Sequence, residues 1–289
     1  MKENKYIYAL GFFDGVHKGH QALLSACREL KGKPGAVTFS GHPQMLVTGN
    51  QPPLLNTRED RYRLLTAYGA EKVTFLPFDQ TLMTTPWQDF LLNIAETAAG
   101  FVCGSDFRFG AGGEGTAEKL ATFCQARGLV CSVVPQQTIQ GIRVSSTYIR
   151  TLVESGEMEQ AAEFLGHPHI LSGKVISGRG LGHTIGIPTA NVEIPQDLAL
   201  PKKGVYACRV HTPQGEYMAV TNVGNRPTVD GHHITVEPWL LDFSEDLYGK
   251  EITVEFHKFL RPEKKFENLA DLKAEIEKNA AETREFFGK

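Results

Sequence analysis

The residues best suited to chemistry stand near the start of the chain, in the stretch GFFDGVHKGH from Gly11 to His20. His17 and His20 are three residues apart, with glycines on both sides and Asp14 just upstream. Imidazoles at this spacing share one face of a helix and can donate hydrogen bonds to phosphate oxygens. Three interpretations are open: a phosphate site, a metal site, and a turn with two surface histidines. A metal pair needs a third ligand, and none is obvious nearby.

A second group of chemical residues lies in GRGLGHTIGIPTAN, from Gly178 to Asn191. Gly178, Gly180 and Gly182 favour either a flap whose backbone N–H groups approach phosphates or an ordinary loop. The stretch is not a Walker loop, because GxxxxGK[ST] is absent. Thr189 and Asn191 are two residues apart and so lie on the same side of an extended chain. Their oxygen atoms are ligands that suit Mg²⁺.

A third group stands in VSSTYIR, from Val144 to Arg150. Ser145, Ser146 and Thr147 offer hydroxyls and main-chain N–H groups at a helix start, which can bind an anion. Arg150, one turn further, can clamp phosphate oxygens in a fork. The alternative is a capped helix followed by a solvated surface charge.

The first half of the chain alternates between short apolar runs and helical stripes, which predicts a parallel sheet covered by helices on both faces. The predicted strands are Tyr6–Leu10, Ala36–Phe39, Val73–Leu76, Phe101–Cys103 and Val130–Val134. Because Gly11 follows the first strand and a helical stripe begins at Ala22, the histidines belong to a strand-to-helix turn. Ligands of such sheets bind at the carboxyl ends of strands, beside helix N-termini.

The pattern changes in the second half. A helix is predicted over Ser145–Phe164, and Gly166–Gly173 breaks it with Gly and Pro. Short runs separated by turns then predict a small antiparallel barrel or sandwich. These runs are Val175–Ile176, Val205–Val210, Tyr217–Val223, Ile234–Leu241 and Ile252–Phe256. A final helix is expected from Leu269 to about Phe287, capped by Asn268.

Composition excludes several classes of protein. The 289 residues carry a net charge of −3, so no basic field indicates nucleic acid or an anionic membrane. Five cysteines show no CxxC spacing, and four lie in apolar surroundings, which indicates buried free thiols in a reducing compartment. The N-terminus lacks the apolar run of a signal peptide, and no stretch approaches the length of a membrane span. A cytoplasmic protein is expected.

Taken together, these stretches resemble a known family. GFFDGVHKGH resembles the HxGH signature of nucleotidyltransferases, in the form typical of the bacterial bifunctional riboflavin kinase/FAD synthetase family. The resemblance covers nearly the whole chain. It extends to TFSGHP, GSDFRFG, VSSTYIR, GRGLGHTIGIPTAN, NVGNRPTV, EPWLLDFSEDLYGKEI and FLRPEKKF.

The resemblance implies an α/β domain followed by a β domain. A Rossmann-like FMN adenylyltransferase domain with a parallel sheet would cover residues 1–167. A riboflavin kinase domain would cover 168–289 as a small antiparallel β-barrel with a C-terminal helix. The implied reactions are phosphorylation of riboflavin to FMN and adenylylation of FMN to FAD, with ATP, Mg²⁺ and small-molecule partners only. A monomer or weak homo-oligomer is expected.

Site residues follow from the same resemblance. The implied ATP site of the adenylyltransferase comprises Gly11, Phe12, His17, His20, Ser145, Ser146, Thr147 and Arg150. Of these, His17 and His20 are implied to be catalytic, binding the ATP phosphates and stabilising the transition state. Asp106 and Asp14 are weaker candidates near flavin or ATP, and Asp14 can also simply fix the turn. The implied kinase ATP site comprises Gly178, Gly180, Gly182, Thr189 and Asn191, with Thr189 and Asn191 also holding the metal.

Glu237 is implied to be the general base of the kinase. By itself, a carboxylate in the apolar stretch TVEPWLLDF would be read as an exposed edge residue. The chain departs from the family here, because Pro238 and Trp239 follow where ExH is usual. Proline removes a ladder donor and indicates an edge or a bulge, and Trp239 would change the wall of the flavin pocket.

Two alternatives to the bifunctional enzyme remain. One is a non-catalytic flavin- or nucleotide-binding regulator on the same scaffold, supported only by the Pro238–Trp239 departure. The other is an adenylyl- or cytidylyltransferase acting on another phosphate, which GFFDGVHKGH alone permits and the second half of the chain opposes.

Overall fold

A computed structural model describes residues 5–42, 44–45, 49–178, 186–228 and 231–288. For 226–228 and 231–233 it describes the backbone alone. The chain divides into two compact units. The first comprises Met1–Pro52 and Arg58–Ser146, and the second comprises Pro53–Thr57 and Thr147–Lys289. This division falls earlier than the domain boundary expected at 167/168, which remains a prediction.

The first unit contains a five-stranded parallel sheet in the order β3-β2-β1-β4-β5. Its strands are β1 (Tyr6–Leu10), β2 (Lys33–Phe39), β3 (Lys72–Leu76), β4 (Ala98–Gly104) and β5 (Val130–Val134). The chain winds outward from β1 to one side and then to the other. In such sheets the crevice where winding reverses, here between β1 and β4, is where ligands bind.

Helices cover both faces of this sheet. They are α1 (Lys18–Glu29), α2 (Arg58–Ala67), α3 (Gln80–Thr84), α4 (Trp87–Ala95) and α5 (Ala117–Arg127). Alternate residues of β1 enter different cores, as expected for a strand buried on both sides. Tyr8 and Leu10 pack with the residues of α4 and α5, whereas Ile7 and Ala9 pack with those of α1.

The helix predicted over Ser145–Phe164 is two helices, α6 (Ser146–Ser155) and α7 (Met158–Leu165). Gly156 separates them with φ of +86°, a left-handed conformation that ends a helix and that glycine adopts without strain. The prediction of one continuous helix is therefore wrong. A two-stranded hairpin, β6 (Thr138–Ile139) and β7 (Ile142–Arg143), precedes α6.

The second unit contains a closed barrel in the order β10-β11-β12-β9-β8-β13. Its strands are β8 (His169–Ile176), β9 (Asn191–Glu193), β10 (Gly204–Thr212), β11 (Gly215–Thr228), β12 (Gly231–Leu240) and β13 (Glu251–Arg261). Of the two antiparallel architectures expected, the barrel is confirmed. Closure leaves no free sheet edge, so every strand has two neighbours.

The predicted C-terminal helix is also confirmed as α8 (Leu269–Phe286). The Asn268 side chain caps it by accepting a hydrogen bond of 2.9 Å from the main-chain N–H of Asp271. Ala280 of α8 packs with Val205 and Val220 of the barrel.

The five cysteines are free thiols, and Cys131 alone is half-buried while the other four are buried, as expected. Within the described residues, no helix combines the length and apolar character that crossing a bilayer requires.

Candidate active sites

The turn after β1 is held in an unusual conformation. Phe13, Gly15 and Val16 all have positive φ, of 59°, 79° and 38°. Such values are uncommon for any residue with a side chain and rare for a β-branched one. Thr38 supports the turn, donating from Oγ1 to the carbonyl oxygen of Phe12 at 2.8 Å. The surrounding structure thus fixes the path by which the chain enters α1.

His17 and His20 lie side by side where α1 begins. His17 is the N-cap residue, and its Nδ1 accepts a hydrogen bond of 3.3 Å from the main-chain N–H of His20. The two rings stack with centroids 3.6 Å apart and planes 12° apart. Because Nδ1 of His17 is an acceptor, the proton of the neutral ring sits on Nε2, which can donate outward. A Cβ at Gly19 would lie 3.2 Å from the His17 ring, so glycine keeps that ring uncrowded.

The pKa of His20 is lowered well below its ordinary value. The causes are burial first, then the electrostatic interaction with the His17 imidazole and that with the Arg61 guanidinium. The residue as a whole is partly exposed, but its Nδ1 is buried and has no hydrogen-bond partner among the described residues. His20 is therefore neutral near pH 7 and acts on an anion as a hydrogen-bond donor, without a charge of its own.

Ser146 ties the start of α6 to the histidine turn. Its hydroxyl donates to the main-chain oxygen of Asp14 at 2.8 Å. Asp14 is only 3% exposed, which favours a role in fixing the turn. Of the other predicted residues here, Ser145 is half-buried, whereas Thr147 and Arg150 are counted with the second unit.

Asp106 follows β4 at the same edge of the sheet as the histidine turn, since β1 and β4 are parallel neighbours. Its carboxylate forms an ion pair with Arg143, and both side chains are about half exposed. Asp106 therefore lies at the carboxyl edge of the sheet, where a site residue was expected.

Arg61 of α2 is a residue of this site that the sequence analysis missed. It is 2% exposed, and its Nη1 donates to the main-chain oxygen of Phe12 at 2.7 Å. Burial lowers its pKa to about 10, and the charge of Asp14 opposes that shift. The signal was present: positions 61, 64, 65 and 68 follow the i, i+3, i+4, i+7 spacing of one buried face. The arginine at the first of these positions was not included in the predicted stripe.

The second unit has a cavity of about 360 Å³ beside α8. Half of its lining residues are apolar and half are polar or charged. It is lined by Ile187, Thr189, Val205, Val220, Asn222, Glu237, Trp239, Arg261, Glu263, Lys264, Phe266, Leu272, Ile276 and Asn279. Apolar side chains combined with polar groups are typical of sites for small organic ligands.

Glu237 enters this cavity from β12. It stands opposite Asn222 of β11 and two positions before Trp239, so both side chains point to the same face of the strand. Glu237 is half-buried, so the alternative of an exposed edge residue is wrong. Strand β12 lies inside a closed barrel between β11 and β9.

Pro238 is neither at an edge nor in a bulge, contrary to expectation. Pairing of β11 with β12 runs without a register shift from Thr228↔Gly231 to Ala219↔Leu240. The strand tolerates proline because its other neighbour pairs with it in register only at Val236↔Val192. The Pro238 carbonyl still accepts a hydrogen bond of 2.9 Å from the N–H of Ala190.

A second cavity, of about 330 Å³, adjoins Thr189. It is lined by Val175, Pro188, Thr189, Ala190, Leu240, Phe243, Ser244, Glu245, Asp246, Leu247 and Tyr248. Thr189 lines both cavities and so stands between them. The residues of its far wall, from Phe243 to Tyr248, were not predicted as site residues.

Asn191 begins β9, opposite Ile176, and packs against the backbone of Gly178. A Cβ at position 178 would lie 2.1 Å from Nδ2 of Asn191, so only glycine leaves room for that amide. The other two predicted glycines, Gly180 and Gly182, lie outside the described residues. Among those described, no cluster of three His, Cys, Asp or Glu side chains is placed to hold a metal.

Comparisons with known proteins match the two halves of the chain separately. Residues 1–148 match the FAD synthetase family, and residues 165–287 match the riboflavin kinase family. Three curated relatives bear the name bifunctional riboflavin kinase/FMN adenylyltransferase. That of Listeria monocytogenes is 34% identical (98% of this chain, 93% of the relative). That of Bacillus subtilis is 32% identical (99% and 94%), and that of Escherichia coli K12 is 36% identical (98% and 93%).

Among solved structures, a crystal structure of a "Macrolide-efflux Protein" from Streptococcus pneumoniae has a TM-score of 0.87 and 29% identity. The match covers 97% of this chain and 94% of that one.

Proposed function

The chain belongs to the bifunctional riboflavin kinase/FMN adenylyltransferase family, and on that premise we propose that its two units each carry one reaction of a single enzyme. The second unit phosphorylates riboflavin with ATP to give FMN and ADP. The first unit joins FMN to AMP from a second ATP, giving FAD and pyrophosphate. The observation that carries this proposal is that the histidine pair and Glu237 stand in different compact units.

In adenylyl transfer, a phosphate oxygen of FMN attacks the α-phosphorus of ATP and pyrophosphate leaves. Positioning and charge neutralisation dominate the catalysis of such a step. Nε2 of His17 donates to a triphosphate oxygen, and neutral His20 stacks beside it as a second donor. The first N–H groups of α1, which have no partner within the helix, add further donors at the same place.

In riboflavin phosphorylation, the terminal ribityl hydroxyl attacks the γ-phosphorus of ATP and ADP leaves. Glu237 accepts the proton of that hydroxyl as it attacks. Riboflavin occupies the cavity that Glu237 and Trp239 line, and ATP occupies the cavity beyond Thr189. This arrangement brings hydroxyl and γ-phosphate together at Thr189, between the two ligands.

Magnesium fits the Thr189–Asn191 segment. The donors are a hydroxyl and an amide oxygen, which a hard cation prefers, and Gly178 leaves the space that the Asn191 amide occupies. Thr189 and Asn191 would hold the ion, which when bound neutralises phosphate charge.

The alternative of a non-catalytic regulator has little support. It rested on Pro238 and Trp239, yet the strand that carries them keeps its register and directs Glu237 into the cavity.

The test is direct. Purified protein is incubated with riboflavin, ATP and Mg²⁺, and the flavins are separated by chromatography over time. FMN should rise first and FAD should follow. Absence of FMN rejects the kinase, and FMN without FAD rejects the adenylyltransferase. Tight flavin binding without ATP consumption would instead establish the regulator.

A further inference from the structure

The first unit contains a buried guanidinium next to the histidine turn that none of the steps above uses. Arg61 lies in α2 and is 2% exposed, although arginine is rarely buried without a role. Its Nε is buried and has no hydrogen-bond partner among the described residues. Burying a cation in this way is costly, so its position needs an explanation.

Arg61 holds Phe12 in two ways. Its Nη1 donates to the Phe12 carbonyl oxygen at 2.7 Å, and its guanidinium carbon lies 4.5 Å from the centre of the Phe12 ring. The same guanidinium lies 5.3 Å from the ring of Phe75 on β3. Arg61 is therefore clamped between two aromatic faces, a geometry that favours arginine over lysine.

Phe12 is the last residue before the turn departs from ordinary backbone angles at Phe13, whose φ is 59°. His17 follows Phe13 by only four residues. The position of Phe12 therefore determines where the imidazole rings of His17 and His20 lie. We propose that Arg61 is a positioning residue for adenylyl transfer, acting through Phe12 on the His17–His20 pair. This inference rests on the proposed function of the first unit.

The charges around His20 agree with this role. His17 from α1 and Arg61 from α2 both lower the pKa of His20, after burial. Asp14, from the turn, faces Arg61 and offsets its charge, while Arg58 and Glu59 act on Arg61 from its own helix. Removing the cation should therefore raise the pKa of His20 and protonate it at a higher pH.

Four variants distinguish the effect of the Arg61 charge from the effects of its side-chain bulk and of a loss of folding. Arg61→Met removes the charge and keeps bulk. Arg61→Gln removes the charge and keeps a hydrogen-bond donor, and Arg61→Lys keeps the charge. Arg63→Met is the matched control, because Arg63 is an exposed arginine of the same helix. Each protein is assayed for FAD and for FMN formation across pH, and the His20 ring is titrated by NMR without ligand.

Arg61→Met should lower kcat for FAD formation at least about tenfold, with FMN formation within about twofold of wild type. The acid limb of its FAD pH profile and the His20 titration should both move to higher pH. Arg61→Lys should restore the titration, and Arg63→Met should change neither reading. If Arg61→Met unfolds the first unit, Arg61→Gln supplies the same comparison.

The inference is overturned if Arg61→Met and Arg61→Gln form FAD as fast as wild type, if His20 titrates alike in them and in wild type, or if Arg63→Met changes either reading equally. Loss of folding in both neutral variants also rejects it, since Arg61 is then only structural. A wild-type protein that makes no FAD rejects the proposed function instead, and the NMR titration still decides the charge effect on His20.

Discussion

The rings of His17 and His20 are in contact because the backbone at the start of α1 places them side by side. The N-cap bond from the His20 N–H to His17 Nδ1 fixes one ring, and stacking fixes the other. Glu237 is positioned by a different device, the alternation of side chains along a barrel strand. The two proposed reactive centres therefore have separate structural supports.

This separation predicts that single substitutions divide the two activities. His20→Ala should abolish FAD formation and spare FMN formation, whereas Glu237→Ala should do the reverse, each by at least about a hundredfold. The spared reaction shows that the other unit is intact, and circular dichroism of each variant is the folding control for the substituted unit. Equal loss of both products in either variant would refute independent sites.

The fluorescence of Trp239 can test which cavity binds riboflavin. The chain has two tryptophans, so Trp87→Phe leaves Trp239 as the only indole emitter. Because Trp239 lines the cavity with Glu237, riboflavin should quench its fluorescence. Trp239→Ala should raise the KM for riboflavin up to about tenfold, since an aromatic pair is lost.

Trp239→His restores the residue usual in the family and should recover much of that affinity. Unchanged emission on saturation with riboflavin would exclude this cavity as the flavin site.

Among the elements, α8 forms part of the wall of the cavity that Glu237 enters, through Leu272, Ile276 and Asn279. Asn279 is buried, and its Oδ1 accepts a hydrogen bond of 3.0 Å from Nε of Arg261. A helix that forms a wall must begin at a fixed residue, and the Asn268 cap provides that start.

Removing the cap should therefore weaken the second unit. Asn268→Ala should cost about 1 kcal/mol of unfolding free energy, because a main-chain N–H loses its partner. Urea unfolding followed by circular dichroism measures it. Asn268→Asp, which keeps a capping oxygen, should be close to wild type, and an equal loss in both variants would contradict the capping role.

Elements with strong local signals were predictable. The strands Tyr6–Leu10 and Val130–Val134 agree residue for residue, and α8 begins where its cap was expected. Most other strands extend beyond the predicted apolar runs, and β8 begins at His169, within the stretch Gly166–Gly173 that its Gly and Pro had marked as a break. The short strand β9 and the helix α3 have no periodicity long enough to detect.

Residue types and spacing alone grouped candidate site residues only where they are neighbours in sequence, and the resemblance to a family joined the distant ones. His17 with His20 and Thr189 with Asn191 each lie within one short stretch. Cavity walls come from distant segments, such as Val205, Phe266 and Ile276, which only the fold brings together. Arg61 was missed for another reason, because buried charges break the rule that relates polarity to exposure.

At the scale of the molecule, the place where the second unit begins can be decided by fragments. Helix α7 packs against β8 and β13 with Met158, Ala161, Phe164 and Leu165 buried. A fragment of residues 147–289 keeps that helix, whereas 168–289 loses it and exposes the apolar surface beneath.

The longer fragment should therefore melt at least about 10 °C above the shorter one and retain FMN formation. Thermal melts and the flavin assay on both fragments measure this. Equal melting temperatures would show that residues 168–289 form a complete domain.

Stability of the second unit should fall on acidification. His169 is 1% exposed, and burial, with a smaller contribution from His167, lowers its pKa to about 3. Below about pH 6.5 His169 binds a proton in the unfolded chain but not in the folded chain. The contribution of neutral His169 to the free energy of unfolding is therefore fully present above about pH 6.5. Between about pH 6.5 and 3 it should decline by about 1.4 kcal/mol per pH unit from this residue.

Urea unfolding of the second unit at several pH values measures this slope. His169→Gln, which cannot titrate in that range, should show a flatter dependence. An unchanged slope would mean that other groups bind the protons.

The position of Thr189 between two cavities has a consequence for inhibitor chemistry. Each cavity alone is small, but a single molecule that joins a flavin-like ring to an adenosine through a phosphate-like tether would fill both. Once one end is bound, the other is confined near its own cavity at a high effective concentration, so the joined compound should bind far more tightly than either half.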